Sequence, residues 1–450
     1  MKSINGKLLP AVVAATLLSV PGVGAADAYI QCPGDSDGDA VIDLTVYTGT
    51  ELEGRDVACQ SLTGGDGWIK MGDGKDDLYI FSFSDVTGIP QADILQVGVF
   101  RANFPAPLIR VREGQELFLS LTNVGTHQRP DLFDPHSVHY HGFPNASAIF
   151  DGLPEATISI NQQATLTYYY SNVEPGTYMW HCHVEATEHM QMGMLGNLYV
   201  EPGQNLLADG TDLNGYTHNN TGDVNVAPYG NFPDTEDVDL NGNGIIDAAG
   251  HDTYVYNDGD GSTRYDVEYA IQIGGMDGEF HDASRDTQPL PFALMRDSYP
   301  MLNGRGYPDT TVAGDLLPPP PDSCGGDTVA CQQPSPQRAS SLITATQGDV
   351  ILLRLSNLAV VRHYTLTANG VPMQVVGRGA RLLRGQGQAV GDNRYYETNA
   401  INLGGGESTD VLIDTTDVAP GTYFLYTSNL NYLSNNTEDY GGMMTEIVIN

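Results

Sequence analysis

The sequence predicts an all-β protein made of two antiparallel β-sandwich domains. Runs of branched and aromatic residues recur at short intervals and are broken by Gly, Pro and Asn, whereas apolar residues at helical spacing are hard to find. These runs occupy residues 77–202 and again residues 265–450. With 450 residues, 40% of them hydrophobic, the chain can bury a substantial core and has room for two or three domains.

The two sets of strands look like copies of one unit. The matched segments are LIRVREGQELFLSLTN with LITATQGDVILLRLSN, HGFP with NGVP, and GTYMWHCH with GTYFLYTS. The first copy has HYH at 139–141 and HCH at 181–183, where the second copy has TAN and YTS. Only the first copy therefore keeps residues of the kind that bind metals.

Segments of different composition surround these two domains. Residues 1–28 are interpreted as an export signal, because two lysines precede an apolar run that ends in small residues. Residues 29–75 and 204–264 are acidic and rich in Gly, and we place the domains at 76–203 and 265–450. No later apolar run reaches the roughly 18–20 residues of a membrane span. We therefore expect a secreted or periplasmic protein.

The charge of the chain excludes some classes of partner. It has 56 acidic and 20 basic residues and a formal net charge of -36. Such an excess of negative charge repels nucleic acids and anionic membranes, and it suits a saline or calcium-containing medium.

The five cysteines divide into two pairs and one residue. Cys32 with Cys59, and Cys324 with Cys331, are spaced as disulfides of an oxidising compartment. Cys182 remains, and it lies between two histidines in the stretch HCHVEATEHMQMGM.

Side-chain alternation divides the residues around Cys182 into two groups. In a strand the two histidines of HCH point to one side and the Cys182 sulfur to the other. In PHSVHYHG the last two histidines share a face, and His136 has the opposite parity. The groups are His139, His141, His181 and His183 on one side, and His136, Cys182, His189 and Met194 on the other.

The second group has the donor set of a blue-copper electron-transfer site. Two imidazoles, one thiolate and a weak thioether favour copper, whereas zinc usually takes four strong ligands. A reactive catalytic thiol at Cys182 is the alternative, although a nucleophile needs far fewer neighbouring histidines.

With VHYHG, GTYMWHCHVEATEHMQMGM and FPAPLIRVREGQELFLSLTN, the chain resembles the multicopper oxidases, whose domains are cupredoxin-like β-sandwiches. The resemblance is strong over 100–202 and weaker over 265–450, which is similar to the copperless middle domain of that family. It implies that His136, Cys182, His189 and Met194 bind a type 1 copper, and that His139, His141, His181 and His183 bind a type 2/type 3 cluster. Because VEATEH is two residues longer than usual, Met192 remains an alternative to Met194.

The resemblance implies an oxidase whose catalytic residues are Cys182, His181 and His183. Single electrons from a donor pass along HCH to the cluster, where dioxygen is reduced to water. The donor is a small molecule or metal ion, with phenols, Fe(II), Mn(II) and Cu(I) all open. A non-catalytic electron carrier or copper-binding protein is the alternative. A copper nitrite reductase fits less well, since that family has Asp at the place of His139 and no histidine at that of His183.

This sequence has only half of the histidines that bind the cluster in the family it resembles. The family uses eight histidines from two domains, whereas four are evident here, and His363 of the second domain has the wrong parity. We therefore expect a homo-oligomer. A two-fold dimer would join two first domains around one cluster, while a trimer would place His363 beside a smaller site.

The two acidic segments contain candidate calcium loops with oxygen donors at alternating positions. These donors are Asp35, Asp37, Asp39 and Asp43, and Asp239, Asn241, Asn243 and Asp247. Neither loop has the Glu that usually completes such a site, and a solvated acidic loop is the alternative.

Calcium is expected to raise the melting temperature if these loops bind it, because a ligand of the folded state shifts the folding equilibrium. Thermal denaturation with calcium, with chelator and with magnesium tests this. An unchanged melting temperature in all three would leave both segments as solvated loops.

Overall fold

A computed structural model describes residues 28–44, 47–75, 77–144, 146–171, 174–219, 252–314, 316, 336–385, 387 and 389–450. These residues form two β-sandwiches, which confirms the predicted all-β, two-domain class. The export signal, the pair Cys324 and Cys331, and the acidic motif at 239–247 lie outside the described residues. No helix of the described part is long and apolar enough to cross a membrane.

The first domain contains two four-stranded sheets. Its strands are β1 (Val57–Ile69), β2 (Leu78–Asp85), β3 (Ile109–Arg112), β4 (Glu116–Gly125), β5 (His139–His141), β6 (Thr165–Ser171), β7 (Gly176–His181) and β8 (Leu195–Glu201). The sheet orders are β2-β1-β4-β6 and β3-β8-β7-β5. β1 lies before the predicted domain start at residue 76, yet it pairs in parallel with β4. The Cys32–Cys59 disulfide, predicted from spacing, joins the N-terminal segment to β1.

The described part also contains two small ladders and three short α-helices. The ladders pair β9 (Asp212–Leu213) with β10 (Tyr216–Thr217), and β11 (Thr253–Tyr254) with β12 (Arg264–Tyr265). The α-helices are α1 (Ile94–Val97), α2 (Ala186–Met192) and α3 (Gly278–Arg285). α3 begins with Asp277 as its N-cap and buries Phe280 in the core of the first domain.

The second domain repeats the strand order of the first. Its strands are β13 (Val267–Met276), β14 (Tyr299–Leu302), β15 (Ile343–Ala345), β16 (Val350–Asn357), β17 (Tyr364–Ala368), β18 (Met373–Arg378), β19 (Arg381–Leu382), β20 (Tyr396–Thr398), β21 (Ala400–Leu403), β22 (Glu407–Asp414), β23 (Gly421–Thr427) and β24 (Met444–Ile449). The run β14-β13-β16-β22 corresponds to β2-β1-β4-β6, with the same parallel pair inside it.

A buried ionic network joins the two domains. Glu268 of β13 accepts hydrogen bonds of 2.8 Å from Arg110 of β3 and from Arg354 of β16. Arg110 also pairs with Glu201 of β8. Although burial opposes ionisation of Glu268, the two guanidinium groups outweigh it and lower the pKa of its carboxyl. Each charge has its partner within the interface, so removing one partner would leave a buried charge uncompensated.

The network also reaches β7, the strand that ends at the HCH motif. The Thr177 hydroxyl donates to Asp410 of β22 at 2.5 Å and accepts from Arg354 at 3.2 Å. The Thr177 carbonyl accepts from the Ser408 hydroxyl at 2.7 Å. β7 is therefore held against the second domain by side chains of β16 and β22.

Glu268→Gln is expected to lower the free energy of unfolding by about 3–5 kcal/mol, because it leaves two buried guanidinium groups undercompensated. The control is Glu279→Gln in the exposed pair with Arg296, which should cost at most about 1 kcal/mol. Urea denaturation measures both. Since the pKa of Glu268 is lowered in the folded state, its contribution should be present at neutral pH and lost on acidification. Equal losses in the two variants would contradict a structural role for the network.

Candidate metal centre

The two histidine motifs lie side by side on neighbouring strands. β5 and β7 are antiparallel, with His139 opposite His181 and His141 opposite Met179. His183 follows two residues after β7 ends, and its ring centroid lies 4.9 Å from that of His139. The pairing register therefore gathers on one face the four histidines grouped by sequence parity. We call His139, His141, His181 and His183 the histidine site.

The imidazoles of the histidine site face one another at metal-binding distances. One ring nitrogen from each of His139, His141 and His181 lies within 4.8 Å of the other two. The Nε2 atoms of His141 and His181 are 3.0 Å apart. The Nδ1 atoms of His139 and His181 face the carbonyls of Asp151 and Cys182, at 2.6 and 2.7 Å. These carbonyls orient the rings so that Nε2 is free for a metal.

The Cys182 side chain points to the opposite side, into the core. Ligand atoms of His136, Cys182 and His189 lie within 4.8 Å of one another, and Cys182 Sγ is 3.2 Å from His189 Nδ1. Backbone hydrogen bonds between His136 and Ile160 position the first histidine. Phe81 and Phe83 pack edge-on against the two rings. His136, Cys182, His189 and Met194 are called the thiolate site.

Met194 is tied by its backbone to two residues of the thiolate site. Its amide donates to the His189 carbonyl at 2.8 Å, and its carbonyl accepts from the Cys182 amide at 3.1 Å. Met192, the last residue of α2, is also fully buried in this core. These backbone bonds tie Met194 directly to His189 and Cys182, which is why Met194, rather than Met192, is counted in the thiolate site.

The buried imidazoles fit a metal better than they fit an empty core. Burial and repulsion from His189 lower the pKa of His136 well below its usual range, and burial lowers that of His181 to about 3. Both rings are therefore neutral, which is the metal-binding form. Neither ring nitrogen of His136 has a hydrogen-bond partner among the described residues. A buried polar atom without a partner costs about 1–3 kcal/mol, and a bond to a metal removes that cost.

The pKa of His189 is raised rather than lowered by its surroundings. Burial opposes its charged form, but the Cys182 sulfur and the Asp134 carboxylate outweigh burial and raise the pKa of His189 to about 10. Asp134 Oδ2 lies 3.7 Å from His189 Nε2, beyond hydrogen-bonding distance. A metal at the thiolate site would therefore displace a proton from this ring.

The second domain keeps the backbone frame of the thiolate site but not its ligands. The Thr427 amide donates to the Met443 carbonyl at 3.0 Å, as Cys182 does to Met194. Met443 in turn donates to the Tyr432 carbonyl, as Met194 does to His189. The rings of Tyr364 and Tyr432 are 5.1 Å apart, against 5.3 Å for His136 and His189. Tyr364, rather than His363, thus occupies the place of His136, as the alignment of HGFP with NGVP predicts.

Other histidines of the described part are not available to complete the histidine site. Both ring nitrogens of His281 face backbone carbonyls, at 2.5 and 2.9 Å. His218 bonds to the Tyr254 hydroxyl, and His127 to the Val124 carbonyl. His363 is exposed beside Gly404 and belongs to neither group.

Acidic side chains form two further groups. Carboxylates of Asp35, Asp37 and Asp39 come within 4.8 Å of one another, whereas Asp43 instead accepts hydrogen bonds from Ser36. Calcium binding by this loop stays a prediction. A second group comprises Asp134, Glu185 and His189, with ligand atoms also within 4.8 Å. Sequence patterns missed this group because Asp134 lies in a loop far along the chain from α2, which holds His189 and has Glu185 as its N-cap.

A cupredoxin-type sandwich with one thiolate site and one histidine site defines a copper protein. Two models of the multicopper oxidase family match the chain, over residues 89–205 and 284–448. The chain therefore belongs to the multicopper oxidase family, which implies copper as its cofactor and supports an oxidoreductase reaction.

Two curated relatives resemble part of the chain. The multicopper oxidase MmcO of Mycobacterium tuberculosis is 41% identical over 80 residues, which are 18% of this chain and 14% of that protein. The copper-containing nitrite reductase of Neisseria meningitidis is 31% identical over 108 residues, 24% of this chain and 25% of its own. The matches thus span at most a quarter of these relatives.

Solved structures resemble a larger part of the chain. The blue copper oxidase of Nitrosomonas europaea has a TM-score of 0.55 at 19% identity, covering 87% of this chain and 86% of that one. The multicopper oxidase mgLAC has a TM-score of 0.54 at 17% identity, covering 88% and 86%. At these identities the likeness shows the fold alone.

Cys182→Ser is expected to abolish an intense blue absorption of the copper-loaded protein, because that band needs a thiolate bound to Cu(II). The fold should persist, since serine is nearly isosteric with cysteine. Met194→Leu should shift the reduction potential, whereas the control Met192→Leu should not. Absorption spectra and redox titration measure these effects. A copper-loaded wild type without the band would refute the thiolate-site assignment.

Proposed function

We propose that the protein is an oxidase that takes single electrons from a donor at the thiolate site and passes them to the histidine site, where dioxygen is reduced to water. One observation carries this proposal: Cys182 belongs to one site, and its chain neighbours His181 and His183 belong to the other. Three consecutive residues thus offer a covalent path between the sites. Copper, when bound at both, supplies the one-electron chemistry.

Two alternative functions can be distinguished from the proposed oxidase. A non-catalytic electron carrier would need only the thiolate site, yet four imidazoles gather at the histidine site, and three of them bring ring nitrogens within 4.8 Å of one another. A nitrite reductase is supported by the identity with the Neisseria protein over 108 residues. It is opposed by His139 and His183, which that family lacks. The Cys32–Cys59 disulfide supports an oxidising, secreted or periplasmic setting.

We also propose that two chains complete one cluster. The histidine site offers four imidazoles, and His139 keeps 17% of its side chain exposed. A two-fold contact between first domains would bring a second copy of the same four residues to this face. A trimer that brings His363 to a neighbouring histidine site is the alternative geometry.

The dimer should hold two coppers at thiolate sites and one shared three-copper cluster, or about two and a half coppers per chain under two-fold symmetry. His141→Ala should abolish oxygen uptake and cluster copper but keep the blue band. The control His127→Ala removes a histidine outside both sites and should change neither. Mass in solution, copper content and oxygen uptake are measured together. A monomer with one copper and no oxygen uptake would instead favour the electron carrier.

We propose that the electron donor is a metal cation such as Fe(II), Mn(II) or Cu(I). The edge of His189 that faces away from Cys182 is flanked by Asp134 and the exposed Glu185. Two carboxylates beside the electron-accepting site attract cations and repel anionic donors. The net charge of -36 acts in the same direction.

Asp134→Asn combined with Glu185→Gln is expected to raise the KM for Fe(II) about tenfold, because the local attraction for cations is lost. The KM for an uncharged phenol should stay within experimental error. Glu397→Gln with Asp417→Asn, an exposed acidic pair in the second domain, provides the charge-matched control. Equal effects of the two double variants on Fe(II) oxidation would assign the result to net charge alone.

A further inference from the structure

Gly406 of the second domain lies against the histidine site of the first. A Cβ atom placed on Gly406 would be 2.8 Å from Nδ1 and 2.9 Å from Cε1 of His141. Such distances are too short for real atoms, so the His141 ring fits only because residue 406 has no side chain. Gly406 also has φ +89°, a conformation that glycine adopts without strain.

The two nitrogens of His141 have different partners. Nε2 lies 3.0 Å from Nε2 of His181, inside the histidine site. The Nδ1 edge faces the Gly406 backbone. Because Nδ1 is turned toward the second domain, Nε2 is the nitrogen that is directed into the site and can bind a metal.

Two other members of the site are oriented by carbonyls of the first domain. His139 Nδ1 faces the Asp151 carbonyl, and His181 Nδ1 faces that of Cys182. For His141, the backbone next to Nδ1 belongs to the loop before β22. That loop is fixed in turn, since the Gly406 amide donates to the Asn357 carbonyl at 2.8 Å.

We propose that Gly406 is a positioning residue through which the copperless second domain holds His141 in the histidine site. Among the described residues, the second domain supplies no ligand there. It supplies a glycine backbone that lets the His141 ring approach and that lies against its Nδ1 edge. Domain contact and copper binding are therefore coupled at this backbone position. This inference rests on the proposed function, because it concerns copper at the histidine site.

Gly406→Ala is expected to weaken copper binding at the histidine site about 10–100-fold, as when a ligand loses its support, because the added methyl group would displace the His141 ring. The blue band of the thiolate site should be unchanged. Gly348→Ala is the matched control: Gly348 has φ +103° and no atom within 4 Å of the added Cβ, so it adds backbone strain without contacting a ligand. Copper titration followed by electron paramagnetic resonance gives a readout independent of activity.

Ser408→Ala separates positioning from general weakening of the interface. It removes the 2.7 Å hydrogen bond to Thr177 without touching His141, so it should lower the melting temperature and leave copper binding unchanged. Copper loss in Ser408→Ala as large as in Gly406→Ala would overturn the positioning role. Wild-type copper affinity in Gly406→Ala would overturn it as well, while leaving the proposed function intact. A wild type that binds no copper at the histidine site would overturn both.

Discussion

Glu268 lies between Arg110 of the first domain and Arg354 of the second, and all three side chains are buried. Removing charges from water is costly, so this arrangement is stable only while each charge keeps its partner. The partners come from β3, β13 and β16. All three charges are therefore paired only when the two domains pack in this arrangement. A displaced interface would leave a buried charge unpaired.

The packing of the two domains also fixes the position of β7. Its first half is bonded to β22 and Arg354, and its last residue is a member of the histidine site. β22 in turn begins directly after Gly406, which lies against His141. The ionic network is thus connected through β7 to His181 and through β22 to Gly406, on two sides of the histidine site. Interface residues that bind no metal therefore help to fix the positions of the ligands.

The grouping of the histidines could be predicted from the sequence because it depends on a local rule. Alternation along β5 and β7 holds whatever the strands pack against, so the parity of His139 and His181 gave the correct faces. The strand β1 could not be predicted, since its segment is rich in glycine and its pairing is decided by β2 and β4. Contacts of Asp134 with His189 and of Gly406 with His141 also depend on tertiary structure. No spacing within the chain indicates them.

The second domain keeps the backbone bonds of the thiolate site around Thr427 and Met443, although it has none of the strong metal ligands. Its strands close around two tyrosine rings in place of two imidazoles. Such a frame therefore forms from its own hydrogen bonds and packing, without help from an ion. For the first domain the consequence is that the matching backbone bonds of Cys182, His189 and Met194 need no ion of their own, so copper can enter a frame that the polypeptide has already formed.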